Sequence, residues 1–127
     1  DIYTLNDLKG KKVAVQATTK PEEIFLKRSL PDIPMVESVY SFVETEEAFA
    51  ALRKGYVDAC ASHDYRIGTY LKNALSKYRV LDQELMTSHL GVAFSKGFDS
   101  NVVQKLSAAL NEMKSDGTID EIMRKYE

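Results

Sequence analysis

The alternation of apolar and polar positions predicts strands and helices in turn along most of the chain. A short β-branched run at 12–16 is typical of a buried strand. Stretches of helical periodicity follow the strands, with acids in the first turn and apolar residues on one side. The predicted strands of this part are 12–16, 35–40 and 56–62, and the predicted helices are 21–30, 65–75 and one from 45 to Gly55.

The two ends of the chain add further elements. A short helical turn is predicted after Thr4 and ends at Gly10. Two more short strands are predicted at 79–82 and 90–94. The alternation of strand and helix over the first hundred residues predicts an α/β fold with a mainly parallel sheet. The last predicted helices are 100–115 and 118–126, and Asp99, Ser100 and Thr118 are their expected caps.

Length and composition are those of an ordinary globular protein rather than a disordered, fibrous or membrane-spanning one. The chain has 127 residues, of which 44% are hydrophobic and 28% are charged. Its formal net charge is -2 and its lysines are scattered among acids, which argues against a nucleic-acid partner. Neither a Ser-His-Asp spacing nor a metal-ligand spacing is present, so we expect no metal and no cofactor.

The single cysteine and the first residue bear on where the protein works. Cys60 lies in the apolar run VDACAS, which favours a small buried hydrophobe over a reactive thiol. The chain starts at Asp1 without an initiator methionine, which indicates a processed or trimmed product. The lack of an export signal is therefore no argument for a cytoplasmic protein.

Two strand ends are polar and form the candidate sites. The segment Gln16–Lys20 (QATTK) follows the first strand, and Ser62–Asp64 (SHD) follows the third. Ligands of open α/β sheets bind at the carboxyl ends of the strands. The first segment also leads into a helix, whose first turn carries unpaired N–H groups and a partial positive charge. These groups either hold an anion or are capped by the chain itself.

Three segments of the chain resemble, in order, signature blocks of family 3 bacterial solute-binding proteins. They are TLNDLKGKKVAVQATT, AFAALRKGYVDACASHD and LGVAFSKGFDSNVVQKLSAALNEMKSDGTIDEIMRKY. Together they cover most of the chain, and their order and spacing are more specific than any one motif. Proteins of this family are extracytoplasmic receptors that deliver polar amino acids and similar small solutes to ABC importers.

The resemblance implies a three-layer α/β fold in which two lobes trap the ligand between them. The chain looks like the second lobe, residues 1–97, followed by a helical segment, residues 98–127, that packs on the first lobe in the family. The implied function is binding of an amino-acid-like polar solute for import through an ABC permease. The implied location is periplasmic or otherwise extracytoplasmic, with or without a membrane anchor. Because most of the first lobe has no counterpart here, we expect the chain to bind only weakly by itself.

The resemblance also assigns the residues of the first loop. In the family this loop is usually QAGT followed by a hydroxyl residue, and it holds the ligand's α-carboxylate; Gln16, Thr18, Thr19 and Lys20 match it. Thr18 stands where the family has glycine, and a β-branched residue tolerates positive φ poorly. Either the loop takes a different turn or the anion sits further off. The alternative interpretations are that Thr18 or Thr19 is only an N-cap and that Lys20 is a surface lysine.

On the second loop, the family has an aspartate that accepts hydrogen bonds from the ligand's ammonium group. Counting from Asp58 places His63 at that point, and counting back from Tyr70 places Asp64 there. Asp64 is preferred because the helix phase fixes it, and because a His-Asp pair occurs here in glutamine-binding members. The alternative is that Asp64 caps the helix that begins at Tyr65.

Other functions and assemblies fit parts of the same pattern. A sensor module of a membrane kinase or cyclase shares this fold, and the flanking gene context distinguishes it from a transport protein. A dehydratase-like enzyme is disfavoured because His63 and Asp64 are adjacent and would point to opposite faces of a strand. The apolar stripes of the two C-terminal helices need a cover, either their own sheet or a second copy in a homodimer. The stripes consist of Val102, Val103, Leu106, Leu110, Met113, Ile119, Ile122 and Met123.

Overall fold

The computed structural model of the chain describes residues 2–72, 74 and 77–126. It divides into two units, Asp1–Thr87 and Ser88–Glu127. The division that the sequence suggests, between 97 and 98, lies further along the chain and stays a prediction.

The first unit alternates strands and helices, as the hydrophobic pattern predicts. It opens with a short 3-10 turn whose N-cap is Thr4, and the Asp7 carboxylate accepts hydrogen bonds from the N–H groups of Tyr3 and Thr4 at 3.0 and 2.9 Å. The elements are the 3-10 turn Leu5–Leu8, β1 (Lys12–Gln16), α1 (Lys20–Lys27), β2 (Ser38–Phe42), α2 (Thr45–Arg53), β3 (Ala59–Ala61) and α3 (Asp64–Leu71).

The middle strand, β1, is buried on both faces. It pairs in parallel with β2 on one side and with β3 on the other, in the order β2-β1-β3. Because successive side chains of a strand point to opposite faces, Val13 and Val15 enter one core and Ala14 enters another. Helix α1 contributes Ile24 to the first core, and α2 contributes Ala48 to the second. The predicted α/β fold with a parallel sheet between helices is therefore confirmed.

Two helices end earlier than the sequence predicts. Helix α1 was expected to reach residue 30, but it ends at Lys27 because Arg28 takes the left-handed conformation, with φ of 49°. Helix α3 was expected to reach residue 75, but it ends at Leu71. Residues 73 and 75 of that prediction lie outside the described residues.

The prediction of a strand at 79–82 is wrong. This segment is held by side chains rather than by a ladder of backbone bonds. The Arg79 guanidinium lies 3.6 Å from the centroid of the Tyr3 ring and donates a 2.7 Å hydrogen bond to the carbonyl of Ile2. The Gln83 side chain accepts a hydrogen bond from the N–H of Leu5 at 2.7 Å. These contacts fix the start of the chain and leave the segment irregular.

The second unit is helical, and its predicted strand at 90–94 is also wrong. A five-residue apolar run forms a strand only when a neighbouring strand pairs with it, and Leu90 at the start of this run is 100% exposed. Helices α4 (Ser100–Ser115) and α5 (Thr118–Arg124) confirm the two helices that the sequence predicts. Asp99 caps α4 by accepting from the N–H of Asn101, as expected.

The cap of α5 differs from the prediction. Its N-cap is Gly117, with φ of 85°, and Thr118 is instead the first helical residue. The Asp116 carboxylate accepts a 2.8 Å hydrogen bond from the N–H of Thr118, which replaces the expected threonine cap. No residue of α4 or α5 is buried. A homodimer through these two helices stays a prediction.

Among residues 2–72, 74 and 77–126, no helix combines the length and the apolar character that crossing a membrane requires.

Replacing Ile24 by alanine is expected to destabilise the chain strongly. Ile24 is 0% exposed and packs with Val13 and Val15, so its loss should lower the free energy of unfolding by about 2–5 kcal/mol. Leu26 on the same helix is 59% exposed, and Leu26→Ala should change that free energy by less than about 0.5 kcal/mol. Urea unfolding followed by circular dichroism measures both, and equal losses would contradict the packing described for α1.

Cys60 is expected to react slowly with alkylating reagents in the folded chain. Burial raises the pKa of its thiol to about 12, from an ordinary value of 9.0. Since the thiolate is the reactive form, iodoacetamide at pH 8 should modify the folded chain roughly a thousandfold more slowly than the chain in urea. Mass spectrometry of timed samples gives both rates. Similar rates in the two conditions would mean that β3 does not shield the thiol.

Candidate functional site

The carboxyl ends of three parallel strands lie at one edge of the sheet. Val15 pairs with Ser41 on one side and with Ala61 on the other, so β1, β2 and β3 end side by side. The loops that leave this edge begin at residues 17, 43 and 62. In sheets of this kind the carboxyl edge is where ligands bind. The two predicted segments therefore leave adjacent strands at the expected place.

Gln16, the last residue of β1, uses its side-chain amide to tie two loops together. Its Nε2 donates to the carbonyl of Val43 at 3.1 Å, and its Oε1 accepts from the hydroxyl of Thr45 at 2.7 Å. Thr45 is buried, whereas Gln16 is half-buried. Both ends of the amide are thus engaged within the protein, and the side chain fixes the loop that precedes α2.

Thr18 takes the conformation that the sequence suggested a threonine would avoid. Its φ is 61°, which lies in the left-handed region. Of the two alternatives, a different turn or a more distant anion, the first is therefore wrong. The loop keeps the turn that glycine would make, at the cost of strain in a β-branched residue.

The N–H of Thr18 is not open to solvent ligands in this arrangement. It donates a 2.8 Å hydrogen bond to Oε2 of Glu22, which lies one turn further along in α1. The Ser41 hydroxyl, on β2, and the Thr18 N–H lower the pKa of Glu22 from its ordinary value of 4.5, and the Ser41 hydroxyl contributes more.

Thr19 is the N-cap of α1, but its side chain does not cap the helix. Its hydroxyl donates to the carbonyl of Gln16 at 2.6 Å, and its own carbonyl accepts the N–H of Glu23. The N–H groups of Lys20 and Glu22 precede that first helical bond and have no carbonyl within the helix to bond to, and Pro21 has no N–H. The first turn of α1 therefore offers backbone donors next to the loop.

The ammonium group of Lys20 is paired within its own helix. Its Nζ lies 2.8 Å from Oε2 of Glu23, and Lys27 lies 4.0 Å from the other oxygen of the same carboxylate. The charge that Lys20 could offer to an anion is thus shared with Glu23. This arrangement agrees with the interpretation of Lys20 as a surface lysine.

On the second loop, His63 is the N-cap of α3 and Asp64 is its first residue. Both side chains are exposed. The Asp64 carboxylate accepts a 2.7 Å hydrogen bond from the N–H of Tyr65, and the His63 ring stacks on that of Tyr65 with centroids 6.2 Å apart. Asp64 therefore stabilises the helix start, and as an exposed carboxylate it is also able to accept a bond from a cation.

A shallow depression of about 300 Å³ lies beside the first loop. It includes three of the predicted site residues, Thr18, Thr19 and Lys20, but neither His63 nor Asp64. His63 and Asp64 leave the same edge of the sheet but do not line this depression. The lining residues are Thr18, Thr19, Lys20, Glu22, Glu23, Leu26 and Lys27.

Two residues near the first loop were not among the predicted site residues: Glu22, which bonds to the Thr18 N–H, and Ser41, whose hydroxyl lowers the pKa of Glu22. Glu22 was taken only as an acid that suits the helix dipole, although an acid in the first turn can also reach back to the residues before the helix. Ser41 carries no local signal, because only the pairing of β1 with β2 brings it beside α1. Within the described ranges, no group of three His, Cys, Asp or Glu residues is arranged to hold a metal ion.

The chain is similar in sequence to amino-acid-binding proteins of ABC transporters. The chain is 33% identical over 119 residues to the ABC transporter glutamine-binding protein GlnH of Bacillus subtilis, and the match covers 93% of this chain and 41% of that protein. It is 30% identical over 129 residues to the putative ABC transporter arginine-binding protein 2 of Escherichia coli, covering 98% of this chain and 51% of that protein. The chain thus spans about half the length of these relatives. It matches no protein-family model.

A solved structure gives the same result for the fold. The structure of an ancestral arginine-binding protein bound to glutamine has a TM-score of 0.71 and 34% sequence identity, and the match covers 98% of this chain and 53% of that one. The substrate-binding protein of an amino acid ABC transporter, at 21% identity, has a TM-score of 0.65. The chain therefore has the α/β fold of periplasmic binding proteins, as the resemblance implied.

Replacing Thr18 by glycine is expected to stabilise the chain. Glycine removes the strain of the left-handed conformation and retains the N–H that bonds to Glu22, so the free energy of unfolding should rise by about 0.5–1 kcal/mol. Arg28→Gly is the matched control, since Arg28 is the other described non-glycine residue with positive φ. Thermal unfolding measures both variants. A loss of stability in Thr18→Gly together with a gain in Arg28→Gly would show that the Thr18 side chain contributes more than its strain costs.

Proposed function

We propose that the chain is part of a family 3 extracellular solute-binding protein and that it binds an amino-acid-like polar solute for ABC-type import. The observation that carries the proposal is the loop after β1, which keeps the left-handed turn at Thr18 and leads into the free N–H groups of α1. The names of the relatives, a glutamine-binding and an arginine-binding protein of ABC transporters, support the class of solute.

The two loops have complementary chemistry for a zwitterion. The backbone donors of Lys20 and Glu22 suit a carboxylate, because the start of a helix carries a partial positive charge. The exposed carboxylate of Asp64 suits an ammonium group. Adjacent parallel strands present both loops at one edge of the sheet. We therefore assign the α-carboxylate of the solute to the first loop and its ammonium group to the second.

The chain corresponds to the second of two lobes in this proposal. Three features support it: the chain spans about half of its relatives, its sheet has one site edge, and its site depression is shallow. A solute held by one lobe keeps its other face in water, which limits the affinity. The same assignment implies a first lobe, an ABC permease as partner and an extracytoplasmic location.

The role is binding rather than catalysis. Asp64 bonds to the backbone of Tyr65 and not to His63, so the two residues do not form an oriented acid–base pair. The relatives are named for binding, not for turnover.

The proposal is tested by calorimetric titration of L-glutamine and L-arginine into the chain and into any longer product of its gene. Asp64→Asn should weaken binding by the longer product roughly tenfold to a hundredfold, since it removes a charge-assisted hydrogen bond. Asp32→Asn removes an equally exposed carboxylate away from the site edge and should leave binding unchanged.

Two outcomes of this titration would count against the proposal. If the longer product binds none of the proteinogenic amino acids, the transport function is wrong. If the chain alone binds one of them in the micromolar range, the solute does not need a second lobe.

A further inference from the structure

The proposed function does not explain why a carboxylate of the chain itself, that of Glu22, is hydrogen-bonded to the first loop. Oε2 of Glu22 lies 2.8 Å from the N–H of Thr18, at the residue whose left-handed turn shapes the loop. The Ser41 hydroxyl on β2 contributes to the lowered pKa of the same carboxylate. Glu22 is half-buried, and its side chain joins the first turn of α1 to the loop.

The neighbouring acid behaves differently, although it stands in the same turn. Glu23 accepts from Lys20 at 2.8 Å and lies 4.0 Å from Lys27, so its charge is offset by two lysines. Glu22 instead accepts from a neutral donor, the Thr18 N–H. Among the described residues, no lysine or arginine forms a salt bridge with it.

We infer that Glu22 is an internal anion of the loop: its carboxylate occupies the Thr18 N–H, beside the Lys20 and Glu22 backbone donors assigned to a solute carboxylate, and an anionic group binds those donors fully only when Glu22 is neutralised or moves away. A second carboxylate near Glu22 would meet like-charge repulsion. The same contact supports the Thr18 turn in the absence of a solute. The part of this inference that concerns a solute rests on the proposed function. The hydrogen bond between Glu22 and Thr18 does not depend on it.

The groups around Glu22 define its behaviour with pH. Thr18 faces it from the loop and Ser41 from β2, and the charged groups on its own helix are Lys20, Glu23 and Lys27, which pair with one another. Because its pKa lies below 4.5, the carboxylate is ionised at neutral pH and is neutralised only as the pH falls through that lower value. The charge-assisted contact with the Thr18 N–H is thus complete at pH 7 and weakens in acid.

The first test follows the backbone amide of Thr18 by NMR without any ligand. Its chemical shift should stay constant from pH 7 to about 5 and change below 4.5, as Glu22 takes up a proton. Glu22→Gln should abolish this change and Glu23→Gln should retain it, since only Glu22 bonds to the amide. A Thr18 amide that does not respond to pH, or that responds equally in Glu22→Gln, overturns the inference.

The second test uses acetate as a simple carboxylate at pH 7, against sodium chloride of equal ionic strength. Glu22→Gln can still accept from the Thr18 N–H but carries no charge, so acetate should shift the amides of Thr18, Thr19 and Lys20 at roughly fivefold lower concentration than in the unmodified chain. Asp32→Asn, which removes an equal charge away from this loop and leaves the Lys20–Glu23 pair intact, should not produce this gain. The coupling constant between the amide and Hα protons of Thr18 checks that φ stays positive in each variant.

The remaining outcomes decide between this inference and the proposed function. Equal acetate responses in the unmodified chain and Glu22→Gln, equal gains in both variants, or no response in Glu22→Gln each overturn the inference. An acetate gain specific to Glu22→Gln, in a protein whose longer product binds no amino acid, supports the inference and contradicts the proposed function. If the longer product binds an amino acid and Glu22→Gln shows no specific acetate gain, the proposed function is supported and the inference is contradicted.

Discussion

The rest of the structure depends on the burial of β1 from both sides. Its backbone pairs with a strand at each edge, and its side chains enter two separate cores, one closed by α1 and the other by α2. A strand in this position has to be apolar in its buried middle, here Val13 to Val15, while its end residues Lys12 and Gln16 are half-buried. Gln16 ends the strand, and the loop that follows is held in place by the same packing that stabilises the fold.

The elements that the sequence predicts well are those with strong local signals. The bounds of β1 match the β-branched run, and those of α4 match a long apolar stripe that follows an aspartate cap. The wrong strands at 79–82 (RVLD) and 90–94 (LGVAF) are short segments, which form strands only with a partner that the local sequence does not specify. The early end of α1 escaped prediction because Arg28, rather than a glycine, takes the left-handed conformation.

The candidate site also has some features that the sequence predicts and others that it does not. The positions of both loops follow from strand order, since polar residues after neighbouring parallel strands meet at one edge. The φ of Thr18 could not be predicted from residue type, because the strain of a threonine there is offset by contacts elsewhere in the fold. The effect of the Ser41 hydroxyl on the pKa of Glu22 depends on strand pairing, which joins residues distant in the sequence. The roles given to Lys20 and Asp64 toward a solute remain predictions.

The left-handed Thr18 also bears on how such loops are recognised. A motif that demands glycine at this place passes over the chain, although its backbone follows the path that glycine would take. Backbone dihedral angles are therefore a safer criterion than residue identity for aligning this loop with loops that have glycine here. In this chain threonine takes the left-handed turn while the Glu22 carboxylate accepts a hydrogen bond from its N–H.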